Sequence, residues 1–236
     1  MAGYLHQFFF GIYPYICLSA FLIGSLVRFD REQYTWRSGS SQLLRARQLR
    51  WGSNLFHIGI LFLFAGHFVG LLTPHVVYEL VITAQAKQLM AVVSGGIAGT
   101  VCFIGLTMLL HRRLFDARIR ATSSPMDIAI LFLLWIQLVL GMVTLPFSLS
   151  HSDGSVMLAL SEWAQRIVTF RGGAADLILG VDWPFKLHLF FGLTIFLVFP
   201  FSRLVHIWSA PVWYVLRKPQ VVRRRGSGRT LPIGGE

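Results

Sequence analysis

Four stretches of this chain run without a charged side chain for longer than a hydrocarbon layer is thick: Met1–Val27, Trp51–His75, Gln88–His111, and Ile128 up to the aspartate at 153. A spanning helix needs about 20 predominantly apolar residues, and inside lipid every backbone N–H and C=O must be satisfied within the segment. Stretches of this length therefore predict transmembrane helices. A fifth is shorter, Leu187–Ser202 between Lys186 and Arg203. Both flanking cations can snorkel to the headgroups, and the apolar pattern continues through Leu204, Val205, Ile207 and Trp208. Hydrophobic residues make up 55% of the chain and charged residues only 13%, against about 45–50% and about 25% in soluble domains.

The expected fold is an all-α membrane protein, a five-transmembrane-helix bundle in one domain over residues 1–216, with spans near 4–28, 51–74, 88–111, 126–147 and 184–209. Between the last two, Val156, Leu160, Trp163, Ile167 and Val168 recur near helical spacing beside Glu162 and Arg166. That pattern predicts a helix over about 155–170 lying on the outer membrane surface. Residues 217–236 are rich in Arg, Gly and Pro and lack periodicity, which predicts a basic cytoplasmic tail, flexible or partner-bound.

The net charge of +11 invites a nucleic-acid partner, but its placement argues for topology and against nucleic acid. Arginines 28, 31, 37, 45, 47 and 50 lie between spans one and two, and arginines 112, 113, 118 and 120 between three and four. Seven more basic residues follow from Arg203 to Arg229. In all, 17 of the 21 basic residues fall on one side, with Lys87, Arg166, Arg171 and Lys186 on the other. The positive-inside rule then puts the N-terminus outside and the C-terminus in the cytoplasm. No basic residue precedes Arg28 and no polar cleavage region follows the first apolar run, so span one is expected to stay in the membrane. Cys17 and Cys102 both fall inside spans and belong to no C-x-x-C-H motif, so any haem must be held non-covalently.

Of eight histidines, His6, His75, His111 and His151 sit at span ends or in a loop. His57 and His67 lie within span two, and His188 and His206 within span five, at depths where an ionisable group is costly and usually functional. A single intramembrane histidine can simply hydrogen-bond a neighbouring helix; four on two helices ask for more. Antiparallel spans set His57 beside His206 toward the cytoplasm and His67 beside His188 toward the outside. Two imidazoles from facing helices would leave a haem iron six-coordinate, which suits electron transfer better than oxygen binding. Gly59, Gly66, Gly70 and Gly192 could let a flat porphyrin approach the backbone, or serve ordinary helix packing, the reading preferred for Gly95, Gly96 and Gly99. The spacing is uneven. Ten residues separate the span-two histidines, about 15 Å of helical rise, and eighteen separate the other two, about 27 Å. His188 and His206 share a helix face, whereas His57 and His67 point about 80° apart, so tilted helices and a kink at Pro200 are expected to absorb the difference.

The runs Phe-Phe-Phe-Gly-Ile-Tyr-Pro-Tyr-Ile (Phe8–Ile16), Gln-Tyr-Thr-Trp-Arg (Gln33–Arg37), Ser-Asn-Leu-Phe-His-Ile-Gly-Ile (Ser53–Ile60) and Phe-Pro-Phe-Ser-Arg-Leu-Val-His-Ile-Trp-Ser (Phe199–Ser209) are distinctive together. They resemble the membrane cytochrome b (gamma) subunit of respiratory nitrate reductase, from Phe8 to about Arg217. The resemblance implies two non-covalent b haems, the proximal one on His57 and His206 and the distal one on His67 and His188. It also implies oxidation of menaquinol or ubiquinol beside the distal haem, at a site to which Gly66, His67 and Lys87 correspond. The implied partners are an iron–sulfur beta subunit, a molybdenum-containing alpha subunit that reduces nitrate, the quinol pool and the lipid bilayer. The implied place is the bacterial cytoplasmic (inner) membrane, as a multi-pass protein.

Electrons would pass from quinol through the distal and then the proximal haem to the cytoplasmic partner, each charge storing about 2.3 kcal/mol per 100 mV crossed. The chain's two cysteines supply no iron–sulfur cluster. Lys87 is the lone charge between Glu79 and Arg112, a donor for a quinone oxygen or a snorkelling anchor. Arg112, Arg113 and Arg203 are candidates for haem propionates or plain topology signals. Two rival functions remain at this point: the dihaem subunit of another quinone-linked complex of the sulfur-cycle or heterodisulfide type, and a proton channel using the histidines as a relay.

Overall fold

The computed structural model describes residues 2–36, 44–151, 153–210 and 216–217. Among them five helices are long and apolar enough to cross a membrane: Gly3–Thr35, Ala46–Leu72, Ala84–Phe115, Pro125–Ser150 and Trp183–Phe201, here spans one to five. Span two packs along three, three along four, four along five, and five along one, while no close seam joins span two to span five among the described residues. The bundle is thus an arc, and its two arms face each other across the space where the histidines project.

Local chemistry starts and stops these helices. Thr83 caps span three by accepting from Ala86 N at 3.3 Å. Ser124 and Asp127 form a capping box at span four, with Pro125 in the first turn where a missing N–H costs nothing. The tightest seam joins spans two and three. A Cβ added to Gly59 would lie 2.6 Å from Cys102 Cβ, and one added to Gly52 would lie 3.2 Å from Met108 Cβ. Such close approach is how helices associate in lipid, where no hydrophobic force drives them together.

Span one contains a π-helical turn, Phe8–Ile12, ahead of the regular helix Tyr13–Glu32. Pro14 has no N–H to offer the Phe10 carbonyl one turn back. That carbonyl instead accepts the indole N–H of Trp163 at 3.0 Å. The donor belongs to the helix Ser155–Val168, so a proline in span one fixes a helix 150 residues away in a buried contact.

That helix differs from the expectation for 155–170. Its apolar face is turned onto protein: Trp163 and Ile167 are 5% and 4% exposed, with Val156 and Leu160 packed beside them against Phe10, Cys17 and Ile178. Gln165 and Ser161 reach the carbonyls of Leu71, Thr73 and Gly70 at the end of span two. Only Val168 of the predicted stripe points out.

The fifth span also differs from the expected 184–209. Its α-helix stops at Val198, a 3-10 turn follows over Phe199–Phe201, Ser202 is extended, and His206 rides on a separate 3-10 segment, Arg203–Ser209. Pro200 removes the N–H that would continue the ladder, and the Ser202 hydroxyl caps the new segment by accepting from Leu204 N at 3.1 Å. The basic tail beyond Arg217 lies outside the described residues.

Candidate functional site

The two arms of the arc bring the four intramembrane histidines together in pairs. His57 and His206 have ring centroids 6.4 Å apart, and His67 and His188 6.0 Å apart. A metal–imidazole bond is about 2.0–2.1 Å and the nitrogen lies about 1.1 Å from its ring centroid, so two axial imidazoles on one ion have centroids about 6.2–6.4 Å apart. Directly hydrogen-bonded imidazoles would sit about 5 Å apart by the same reckoning. The His57–His206 spacing falls in that range and the His67–His188 spacing just below it, and both are wider than a direct ring-to-ring hydrogen bond.

The outer nitrogens agree. His57 Nδ1 donates to Ser53 O at 2.7 Å, His67 Nδ1 to Leu63 O at 2.8 Å, His188 Nδ1 to Gln137 O at 3.2 Å and His206 Nδ1 to Arg203 O at 2.6 Å. A carbonyl acceptor fixes the proton on Nδ1 and leaves the Nε2 lone pair of His57, His67 and His206 for a metal, the usual support of a ligating histidine, while that of His188 also faces the Gln137 amide. Among the described residues no three His, Cys, Asp or Glu side chains gather to hold a bare ion. Two ligands per pair suit an iron that brings its own equatorial plane, as haem iron does.

The break after span five resolves the uneven spacing. His206 is not carried eighteen residues along one helix from His188, because Ser202 redirects the chain before it. The glycines divide. Gly59 belongs to the seam with Cys102, so its packing role prevails, whereas a Cβ on Gly66 or Gly70 would meet nothing within 4 Å. A Cβ on Gly192 would lie 3.1 Å from Gln137 Nε2.

Sequence reasoning missed two residues of span four. A Cβ on Gly141 would stand 3.0 Å from His188 Cε1, so this glycine makes room for the ring. Gln137 supplies the carbonyl for His188 Nδ1 and places its amide 3.4 Å from His188 Nε2. The signal was present: Gln137 is a lone amide in a charge-free run, one turn before a glycine.

Lys87 does not snorkel. Its side chain is buried at 6% exposure, and its Nζ sits 3.6 Å from the centre of the Tyr78 ring with no hydrogen-bond partner among the described residues. The Tyr78 hydroxyl is equally without one. Burial, with a smaller contribution from Glu79, holds that phenol above its usual pKa, so it stays a donor. Two buried donors side by side are arranged to receive an acceptor. Gly66 faces open space on the neighbouring span. By the register of the Gly59–Cys102 contact, Lys87 lies about eight residues, roughly 12 Å, nearer the end of the bundle than Gly66.

The arginines considered for propionates are engaged with protein. Arg112 donates to Leu44 O at 2.7 Å. Arg113 and Arg203 share Asp127, at 3.3 and 3.7 Å. Two guanidiniums on one carboxylate leave a positive balance beside the His206 segment, the complement an anionic group would need there.

The profile of the nitrate reductase gamma subunit matches residues 6–225. The chain is 55% identical to the respiratory nitrate reductase 1 gamma chain of Escherichia coli strain K12 over 222 residues, 94% of this chain and 99% of that protein. It is 54% identical over 225 residues to the respiratory nitrate reductase 2 gamma chain of the same organism, covering 95% and 100%. To the nitrate reductase gamma chain of Bacillus subtilis strain 168 it is 39% identical over 220 residues, 93% and 98% of the two.

Proposed function

Because the chain belongs to the nitrate reductase gamma subunit family, the cytochrome b subunit of an oxidoreductase complex whose nitrate reduction occurs on partner subunits, we propose that it binds two haems and oxidises quinol. The observation that carries the reading is the pair of imidazole pairs at 6.4 and 6.0 Å, with all four Nδ1 atoms bonded to carbonyls. His57 and His206 would hold the proximal haem, and His67 and His188 the distal one. When bound, these groups would supply two one-electron carriers, one near each end of the bundle.

The chain's own residues do the rest. Ser53, Leu63, Gln137 and Arg203 orient the ligand rings through their carbonyls. Lys87, braced on Tyr78, would donate to a quinol or quinone oxygen near the distal pair, with the open face of Gly66 leaving room for the ring. Menaquinol and ubiquinol present the same oxygens to that donor. The basic end, with 17 of the 21 Lys and Arg, is assigned to the cytoplasm. There the chain would meet an iron–sulfur beta subunit, and beyond it a molybdenum-containing alpha subunit, in a bacterial inner membrane.

Haem content tests the reading. A reduced-minus-oxidised spectrum and pyridine haemochrome assay of the purified complex should give two b haems per chain. Absence of b-type haem would refute it and restore the proton-relay function.

A further inference from the structure

Beyond His6 span one carries no histidine, yet with the adjoining Trp36 it grips the segment that leads to His206 at three places. Arg28 Nη1 donates to Pro200 O at 2.6 Å and to Ser202 O at 2.9 Å. Phe21 packs edge-on against Phe199 at 4.8 Å and beside Trp208 at 5.6 Å. The Trp36 carbonyl accepts from Ser209 Oγ at 3.3 Å, and the Trp36 side chain packs on the cluster of Phe199, Leu204 and Val205. Behind these contacts, Gly24 lets the Pro200 ring come so close that a Cβ would lie 2.7 Å from Pro200 Cγ.

The break after span five frees carbonyls that a continuous helix would satisfy, and at membrane depth each must find a donor. Arg28 supplies it, its Nη1 donating to the carbonyls of both Pro200 and Ser202. Its Nε is held in turn by Thr35 Oγ1 at 3.2 Å. A topology anchor would point at headgroups; this arginine points at main chain. Arg203, whose carbonyl orients the His206 ring, follows Ser202 directly.

We infer that Arg28 is the positioning residue for the His206 ligand, and that the stretch from Phe21 to Trp36, the end of span one and the residue after it, is a clamp that sets the register of Arg203–Ser209 against His57. Thr35 and Trp36 of the distinctive run Gln33–Arg37 and the run Phe199–Ser209 are then two halves of one device. This role rests on His57 and His206 holding a haem, as proposed above, and it assigns no part in the distal site.

The test uses the assembled complex carrying Arg28→Gln, Arg28→Lys or Ser209→Ala. It reads haem content and the low-spin paramagnetic resonance signals, the proximal one being that lost on His206→Ala. Arg28→Gln should shift the proximal signal and weaken haem retention there by about tenfold, the scale on which outer partners of metal ligands act, with the distal signal unmoved. Arg28→Lys should fall between, since an ammonium can reach the carbonyls but has no Nε for Thr35 to hold. Ser209→Ala should shift the same signal by less, and it decides the matter should Arg28→Gln fail to accumulate. Equal loss of both haems, or an unmoved proximal signal in Ser209→Ala and Arg28→Lys together, would overturn the clamp. A wild-type complex without haem would overturn the parent reading instead.

Discussion

Gly141→Ala tests the distal pair through a residue that is neither ligand nor surface. The added Cβ would lie 3.0 Å from His188 Cε1, 3.5 Å from Nδ1 and 3.7 Å from Nε2. Ordinary carbon–carbon contact begins near 3.5 Å, so the ring must retreat by about 0.5 Å. That is the tolerance within which a functional constellation has to be held. Retreat also strains the 3.2 Å bond from His188 Nδ1 to Gln137 O, which is already long. Loss of an orienting contact on a ligating histidine costs about 10- to 100-fold in affinity, or about 1.4–2.7 kcal/mol. Distal haem occupancy should therefore fall by about tenfold in Gly141→Ala and further in Gly141→Val, while proximal haem stays. The assay is haem stoichiometry with the two resonance signals resolved. Equal loss of both haems in the two variants, or full distal occupancy in Gly141→Val, would refute the reasoning.

Replacing His57 or His206 with Ala should remove the proximal haem and spare distal haem, and replacing His67 or His188 should do the reverse; losses that cross the pairs would refute the pairing in haem stoichiometry. Lys87→Ala should slow quinol oxidation and leave both haems in place, with Tyr78→Leu acting in the same direction because it strips the ring under the ammonium; unchanged steady-state kinetics in Lys87→Ala would return that lysine to a structural role. Trp163→Phe should lower thermal stability by about 1–3 kcal/mol, the cost of leaving the buried Phe10 carbonyl without its donor, with both haem spectra intact. A Trp163→Phe midpoint equal to wild type would mean the carbonyl has found another partner.

The spans were legible because a bilayer allows few solutions: a run without charge that is long enough must be a helix. The four histidines were legible for a related reason, since each stands out against hydrocarbon at a depth where polar groups are rare. Gly59 misled in part because a missing side chain marks close approach without saying what approaches. The partner is Cys102 on span three. Gln137 and Gly141 were passed over because neither titrates, although an amide within span four carries much the same signal as a histidine. The stripe of Val156, Leu160, Trp163 and Ile167 marks a face that is covered without saying what covers it, and here Phe10, Cys17 and Ile178 do. Apolar periodicity reports that a face is dry, and lipid and protein are equally dry.

The break at Ser202 shows where a one-dimensional reading must fail. Pro200 announces a kink, yet a proline in a transmembrane helix is often tolerated, with the helix resuming beyond it. Here it does not resume. Arg28 satisfies the freed carbonyls of Pro200 and Ser202, Ser202 caps Leu204, and Gly24 admits the proline ring. Two of these three contributions come from a helix some 175 residues earlier. The eighteen-residue interval between His188 and His206 is incompatible with the ten-residue interval across from it only if span five is one straight helix. Once span one pins the broken end, the depth of His206 is no longer a property of span five. It depends on where Arg28 and Trp36 hold the chain, and that is information the local sequence around His206 does not contain.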